Sequence, residues 1–304
     1  MQNKPLVSVV ITTKNEESNI ENCLISIKEQ DYKNIETILV DNNSTDSTKK
    51  IASRYNIIIS NKGPERSAQR NHGLIDLASG SYLMFIDADM ILGQNLISSA
   101  IDKVLGNNID GLYIPETILG SRLFNRIRRF ERNFYIGSDI DAIRFFSRDK
   151  FIKTGGFDES LTGPEDWDFD YRFRQCGKVS VLEESLLIKD SWSLYSFIHQ
   201  NLDQGDNIYS SHIFHNETNI GLREFLNKKC YYLNSFENYK NKWKGNKKVY
   251  ANQLSIFYRL FFVFLEKQKY KKFLKKPFLA FLVILLKLIT FLSTLKCSIK
   301  KKCI

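Results

Sequence analysis

The chain has 304 residues, 43% of them hydrophobic, which suits one large α/β domain with an appendage and excludes a disordered chain. Its five cysteines (Cys23, Cys176, Cys230, Cys297 and Cys303) are odd in number and lack a C-x-x-C pair, which argues against a disulfide framework or structural zinc and for a reducing compartment. The net charge of +10 is uneven: residues 221–304 hold 20 Lys and Arg against 3 Asp and Glu, a balance of +17, and residues 1–220 carry −7.

The N-terminus shows no apolar leader before a small-residue cleavage site, so no secretory signal is expected. Leu6–Thr12 is a β-branched apolar run that reads as a buried parallel strand. Ile20, Leu24 and Ile27 follow at helical spacing to about Gln30. Ile35–Val40 reads as a second strand, and Asp46 as the N-cap of a helix over Ser47–Tyr55. A short strand at Asn56–Ser60, a helix at Arg66–Ala78 and a strong strand at Tyr82–Ile86 complete the alternating part. Alternation of this kind predicts a parallel sheet with right-handed crossovers. Ligands of such sheets sit beyond the carboxyl ends of the strands. The polar clusters Thr12–Glu16, Asp41–Ser44 and Asp87–Asp89 all fall there, so they are expected to converge on one site.

Beyond Asn107 the pattern loosens. Phe124–Phe134 is an Arg-rich amphipathic segment, Asp141–Ser147 reads as a strand, Glu165–Cys176 as a helix and Val179–Leu182 as the last strand of the sheet. The composition changes after Asn219, placing a first domain at residues 1–220 and a basic helical region at 221–304. Leu254–Leu265 is an apolar run broken by Arg259. Phe278–Leu295 has Lys287 as its only charge and lysines on both flanks. This length is at the edge of what spans a bilayer, which takes about 20 residues, so a transmembrane helix and interfacial helices with snorkelling lysines both fit. The interleaving of charge with apolar runs points to an anionic membrane face and away from nucleic acid.

Asp87-Ala88-Asp89 at a strand end presents two carboxylates to one divalent cation that keeps open positions for diphosphate oxygens. Arg66 and Arg70 are an i, i+4 pair on one helix face, suited to charge-assisted recognition of a diphosphate. Glu165, Asp166 and Asp168 open a helix. Transfer with inversion at a sugar carbon needs a carboxylate to take the acceptor proton, and spacing alone does not choose among the three.

Taken in order, SVVITTKNEE, ILVDNNSTDST, GPERSAQRNHG, YLMFIDADM, GGFDE and GPEDWDFDYRFRQCG resemble the family-2 glycosyltransferases over roughly residues 5–200. The resemblance implies a GT-A fold, a Rossmann-like, mostly parallel sheet flanked by helices, here followed by an α-helical C-terminal region. It also implies inverting transfer from a UDP- or GDP-sugar with Mn²⁺ or Mg²⁺, onto a lipid-linked or membrane-presented glycan at the cytoplasmic face of the membrane. By position it puts Thr12, Lys14, Glu16, Asp41 and Asn42 around the nucleoside, Arg66 and Arg70 beside the diphosphate, and Asp87 at the sugar or ribose. Asp89 becomes the metal ligand and Asp166, paired with Glu165, the general base. Relatives commonly carry a histidine about two dozen residues after the base. Here Leu187–Trp192 holds none, leaving Asp190 as a substitute oxygen ligand, and His199, His212 and His215 without a role. Two other readings are a nucleotidyltransferase, which normally has a Gly-rich loop where this chain reads TTKNEES, and a non-catalytic membrane scaffold.

Overall fold

A computed structural model describes residues 4–187 and 192–302. Strands β1 (Val7–Thr13), β2 (Ile35–Asp41), β3 (Ile58–Asn61) and β4 (Tyr82–Asp87) run parallel. After β5 (Met90–Leu92), β6 (Gly111–Tyr113) and β7 (Glu116–Leu119) come β8 (Ile143–Ser147), β9 (Val179–Val181) and β10 (Ile213–Asn216). The main sheet has the order β3-β2-β1-β4-β8-β6-β9, with β8 antiparallel to both of its neighbours. Strand β9 is the last strand of the main sheet, as expected, whereas a second sheet, β5-β10-β7, was not visible in the sequence. Strands of three or four residues are too short to display a period.

Alternation along the strands fills two cores. Val9, Ile11, Met84 and Ile86 pack against helices α1 (Ile20–Lys28) and α2 (Thr48–Ala52) on one face. Val10, Val40, Leu83 and Phe85 face the other side, where Leu74 meets them. Helix α3 (Arg66–Asn71) continues as a widened turn over His72–Leu77. A Cβ on Gly73 would stand 2.3 Å from Val10 Cγ1, so glycine lets this segment sink onto the sheet. Helices α4 (Leu96–Asn107), α5 (Leu123–Arg132), α6 (Arg148–Thr154) and α7 (Glu165–Arg174) complete the layers.

The C-terminal elements build a third core with Phe130, Phe134 and Trp167, contributing Tyr239, Val263, Leu279 and Val283. Cys230 and Cys297 form a disulfide, contrary to the sequence expectation. Their sequence separation hides the side-by-side packing of the helices at Leu222–Tyr231 and Pro277–Lys302 that brings them together.

At the start of β7, Glu116 is buried between Arg132, at 2.9 Å, and Arg144, at 3.2 Å. Burial alone would raise its pKa, but the two guanidinium groups hold it at about 2. Its folded pKa is depressed, so its contribution to stability is present above the unfolded value and lost as pH falls through about 2. Glu116→Gln should cost about 3 kcal/mol at neutral pH. Urea unfolding should show the gap between wild type and variant narrowing below pH 4.5; a constant gap would contradict this assignment.

Candidate functional site

The register places the three polar strand ends side by side: Thr13 lies opposite Asp41, and Thr12 opposite Asp87. Thr12 Oγ1 donates to Asp87 Oδ1 at 2.8 Å. The same Asp87 oxygen accepts from Arg70 Nη2 at 3.3 Å, and Arg66 Nη1 stands 4.0 Å from Asp87 Oδ2. Burial pushes Asp87 up, but Arg70 foremost, then Arg66 and Arg144, hold it well below the usual carboxylate range.

Arg70 is the hub. Its guanidinium stacks 4.4 Å from the centre of Phe85, is fully buried, and donates through Nη1 to Asp166 Oδ1 at 2.7 Å. The i, i+4 spacing suggested two equivalent arginines, but close seating of this segment on the sheet sinks Arg70. Arg66 remains 29% exposed, and its Nη2 lies 3.0 Å from Glu165 Oε1. Arg66 is therefore accessible from the surface, and Arg70 holds Asp87 and Asp166 in place.

The first turn of α7 resolves its acids by exposure. Glu165 is 1% exposed, Asp168 is fully buried against Arg172 and Lys242, and Asp166 keeps 21% of its side chain accessible. Burial pushes Glu165 up against the opposing pull of Arg66. The turn before α7 needs Gly163, at φ +108°, because a Cβ there would meet the Tyr232 ring at 2.7 Å. Tyr232 was not flagged by the sequence; its hydroxyl accepts from Arg66 Nη2 at 3.1 Å, and Arg66 lies over its ring.

Asp89 follows β4 in the turn to β5. Strand β10 pairs antiparallel with β5, setting His215 opposite Met90, and Asn216 N donates to Asp89 O at 2.8 Å. His215 Nε2 thereby lies 3.0 Å from Asp89 Oδ2. Motif spacing gave no sign of a histidine beside Asp89. Burial lowers its pKa, but the Asp89 carboxylate pushes it up to about 9. Asp190 lies outside the described residues. Asp89 Oδ1 is buried without a hydrogen-bond partner, and Glu16 is half-buried with its pKa raised by burial first and by Asp89 and Asp87 after it. A carboxylate oxygen and an imidazole suit Mn²⁺ or Mg²⁺ in part. No cluster of three His, Cys, Asp or Glu side chains able to hold a metal lies among the described residues.

Asp41 is fully buried, accepts from Ser44 N at 2.8 Å and organises its own loop. Asn42 donates to Pro64 O at the rim, and Lys14 is exposed on the loop after β1.

Residues 8–155 match the family model described as Glycosyl transferase family 2. Glycosyltransferase AglE of Haloferax volcanii is 34% identical over 115 residues, covering 35% of this chain and 38% of that protein. The GalNAc(5)-diNAcBac-PP-undecaprenol beta-1,3-glucosyltransferase of Campylobacter jejuni is 31% identical over 107 residues, 33% of this chain and 34% of that protein. The chain thus spans about a third of the length of these two relatives. A mannosyltransferase from Pyrobaculum calidifontis, solved in complex with GDP-Man and Mn²⁺, is similar with a TM-score of 0.59 at 15% identity, covering 97% of this chain and 88% of that one. That likeness bears on the fold, and it is the GT-A type. With the ordered motifs and this architecture in agreement, the chain carries a family-2 glycosyltransferase domain.

Proposed function

We propose that the chain is an inverting glycosyltransferase that moves a sugar from a UDP- or GDP-sugar to a lipid-linked glycan at the cytoplasmic face of the membrane. The observation that carries this reading is the Arg70 guanidinium, which ties Asp87 on the donor side to Asp166 on the acceptor side. Asp166 takes the proton of the acceptor hydroxyl as its oxygen bonds to the anomeric carbon. The bond from that carbon to the diphosphate breaks, and its electron pair leaves with the diphosphate. Arg66 offers charge-assisted hydrogen bonds to the departing group. Asp89 and His215 would hold Mn²⁺ or Mg²⁺, which when bound would neutralise charge on the leaving diphosphate. Thr12, Lys14, Glu16 and the Asp41-Asn42 loop border the nucleoside.

The lipid-linked acceptor is supported by the name of the Campylobacter relative and by the helix at Pro277–Ile299, apolar and long enough to cross a membrane by length and composition. In a reducing cytoplasm Cys230 and Cys297 are held as thiols, and the apolar contacts of Val283 and Leu286 keep that helix docked.

The test is a thermal-shift screen of UDP, GDP and their common sugars with and without Mn²⁺. A ligand at a hundredfold excess over its Kd stabilises the fold by about 2.7 kcal/mol. A shift that needs Mn²⁺ and is lost in Asp89→Ala is the expected result; no shift with any of these nucleotides would refute the reading.

A further inference from the structure

We infer that the C-terminal helix, Pro277–Lys302, lies flat on an anionic lipid surface and does not cross it. This deepens the membrane half of the proposed function and is independent of the sugar chemistry.

The inner face of the helix is docked along its length. Leu279, Ala280, Val283 and Leu286 are buried. In mid-helix Lys287 Nζ lies 2.5 Å from Glu131 Oε1 and also donates to the Tyr135 hydroxyl. At the far end the Cα atoms of Cys297 and Cys230 lie 6.1 Å apart, and Cys230 Sγ lies 3.9 Å from Ser293 O. From Val283 to Cys297 the axis runs about 21 Å, at roughly 1.5 Å per residue. A spanning helix needs about 20 residues surrounded by hydrocarbon or by other spanning elements. Crossing here would draw Glu131 into the bilayer with its partner Arg128 and, through Arg128, Glu217. Such charges are expensive in lipid.

The outer face is bare and apolar. Phe278, Phe281, Leu285, Leu288, Leu292 and Leu295 alternate in steps of three and four and are 41–65% exposed, forming one stripe. Leu274, 75% exposed, and Phe257, 65% exposed, add apolar surface on the preceding elements. Lys271, Lys272, Lys275 and Lys276 precede the stripe, and Lys296 lies at its end, all exposed. Lysines beside an apolar stripe match acidic headgroups above acyl chains. A second copy on the same stripe would bring together two regions that each carry +17, so charge favours lipid over self-association. Tyr231 and Tyr232, directly after Cys230, bond Glu65 and Arg66. The lipid surface is thereby joined to the donor arginine through a few residues, in reach of a lipid-linked acceptor.

The experiment uses the full chain purified without detergent, mixed with phosphatidylcholine vesicles or with vesicles that also contain phosphatidylglycerol. Sedimentation with the anionic vesicles and release by alkaline carbonate are expected. The double variant Leu285→Glu, Leu292→Glu should bind about a hundredfold more weakly and keep the nucleotide-induced thermal shift of the wild type. Carbonate-resistant binding, undiminished binding of the double variant, or a stripe-dependent dimer that binds neither vesicle would each overturn the inference. If the vesicle results hold and the wild type shows no nucleotide shift, the sugar-transfer reading fails and this inference stands.

Discussion

Asp166→Asn is expected to lower sugar transfer by about a thousandfold, within the range general-base removal produces, with little change in donor affinity. The side chain of Asp166 is 21% exposed at the head of α7, against 1% for Glu165, so of this pair it is the one that can meet an acceptor hydroxyl. Asparagine retains an oxygen for the Arg70 Nη1 bond and keeps the local geometry, but it cannot take a proton at neutral pH. The companion variant Glu165→Gln separates roles. It weakens the hold on Arg66, so its loss should appear mainly in donor KM and less in kcat. Steady-state kinetics of both variants make the comparison; Asp166→Asn within tenfold of wild type would remove Asp166 from the mechanism.

His215→Ala should weaken Mn²⁺-dependent donor binding by roughly 10–100-fold, the range seen when a group supporting a metal site is removed. Asp89 then loses the partner 3.0 Å from its Oδ2, and the site falls back on one carboxylate. Asp89→Ala should lose more, since it also removes Oδ1, which is buried without a hydrogen-bond partner. Calorimetric titration of UDP and GDP with Mn²⁺ present measures both variants against wild type. If the His215 variant binds like wild type, the histidine supports the strand and not the metal.

The alternation of apolar strands and periodic helices up to Ile86 was legible, because β1, β2 and β4 are long enough to show their pattern. The convergence of Thr12, Asp41 and Asp87 followed from polar residues standing at the ends of those runs. Other features depended on contacts that no local window contains. His215 lies 126 residues from Asp89 and reaches it only through the pairing of β10 with β5. The different fates of Arg66 and Arg70 follow from how far their helix sinks onto Val10 through Gly73, a matter of packing that i, i+4 spacing cannot express. Tyr232 belongs to a segment that composition alone marks as basic and helical, yet its hydroxyl accepts a hydrogen bond from Arg66. Membrane contact was suggested by charge and apolar runs. The docking of Lys287 on Glu131, on which the inference of a flat-lying helix rests, became visible only with the tertiary structure.

The most direct test of sugar transfer is release of nucleoside diphosphate from a panel of UDP- and GDP-sugars, with Mn²⁺ and a membrane extract as the source of acceptor. Wild-type protein should release diphosphate from at least one donor, dependent on Mn²⁺ and on the extract, and Asp166→Asn should not. Release that is equal in the wild type and the Asp166 variant, or absent for every donor, would contradict the account.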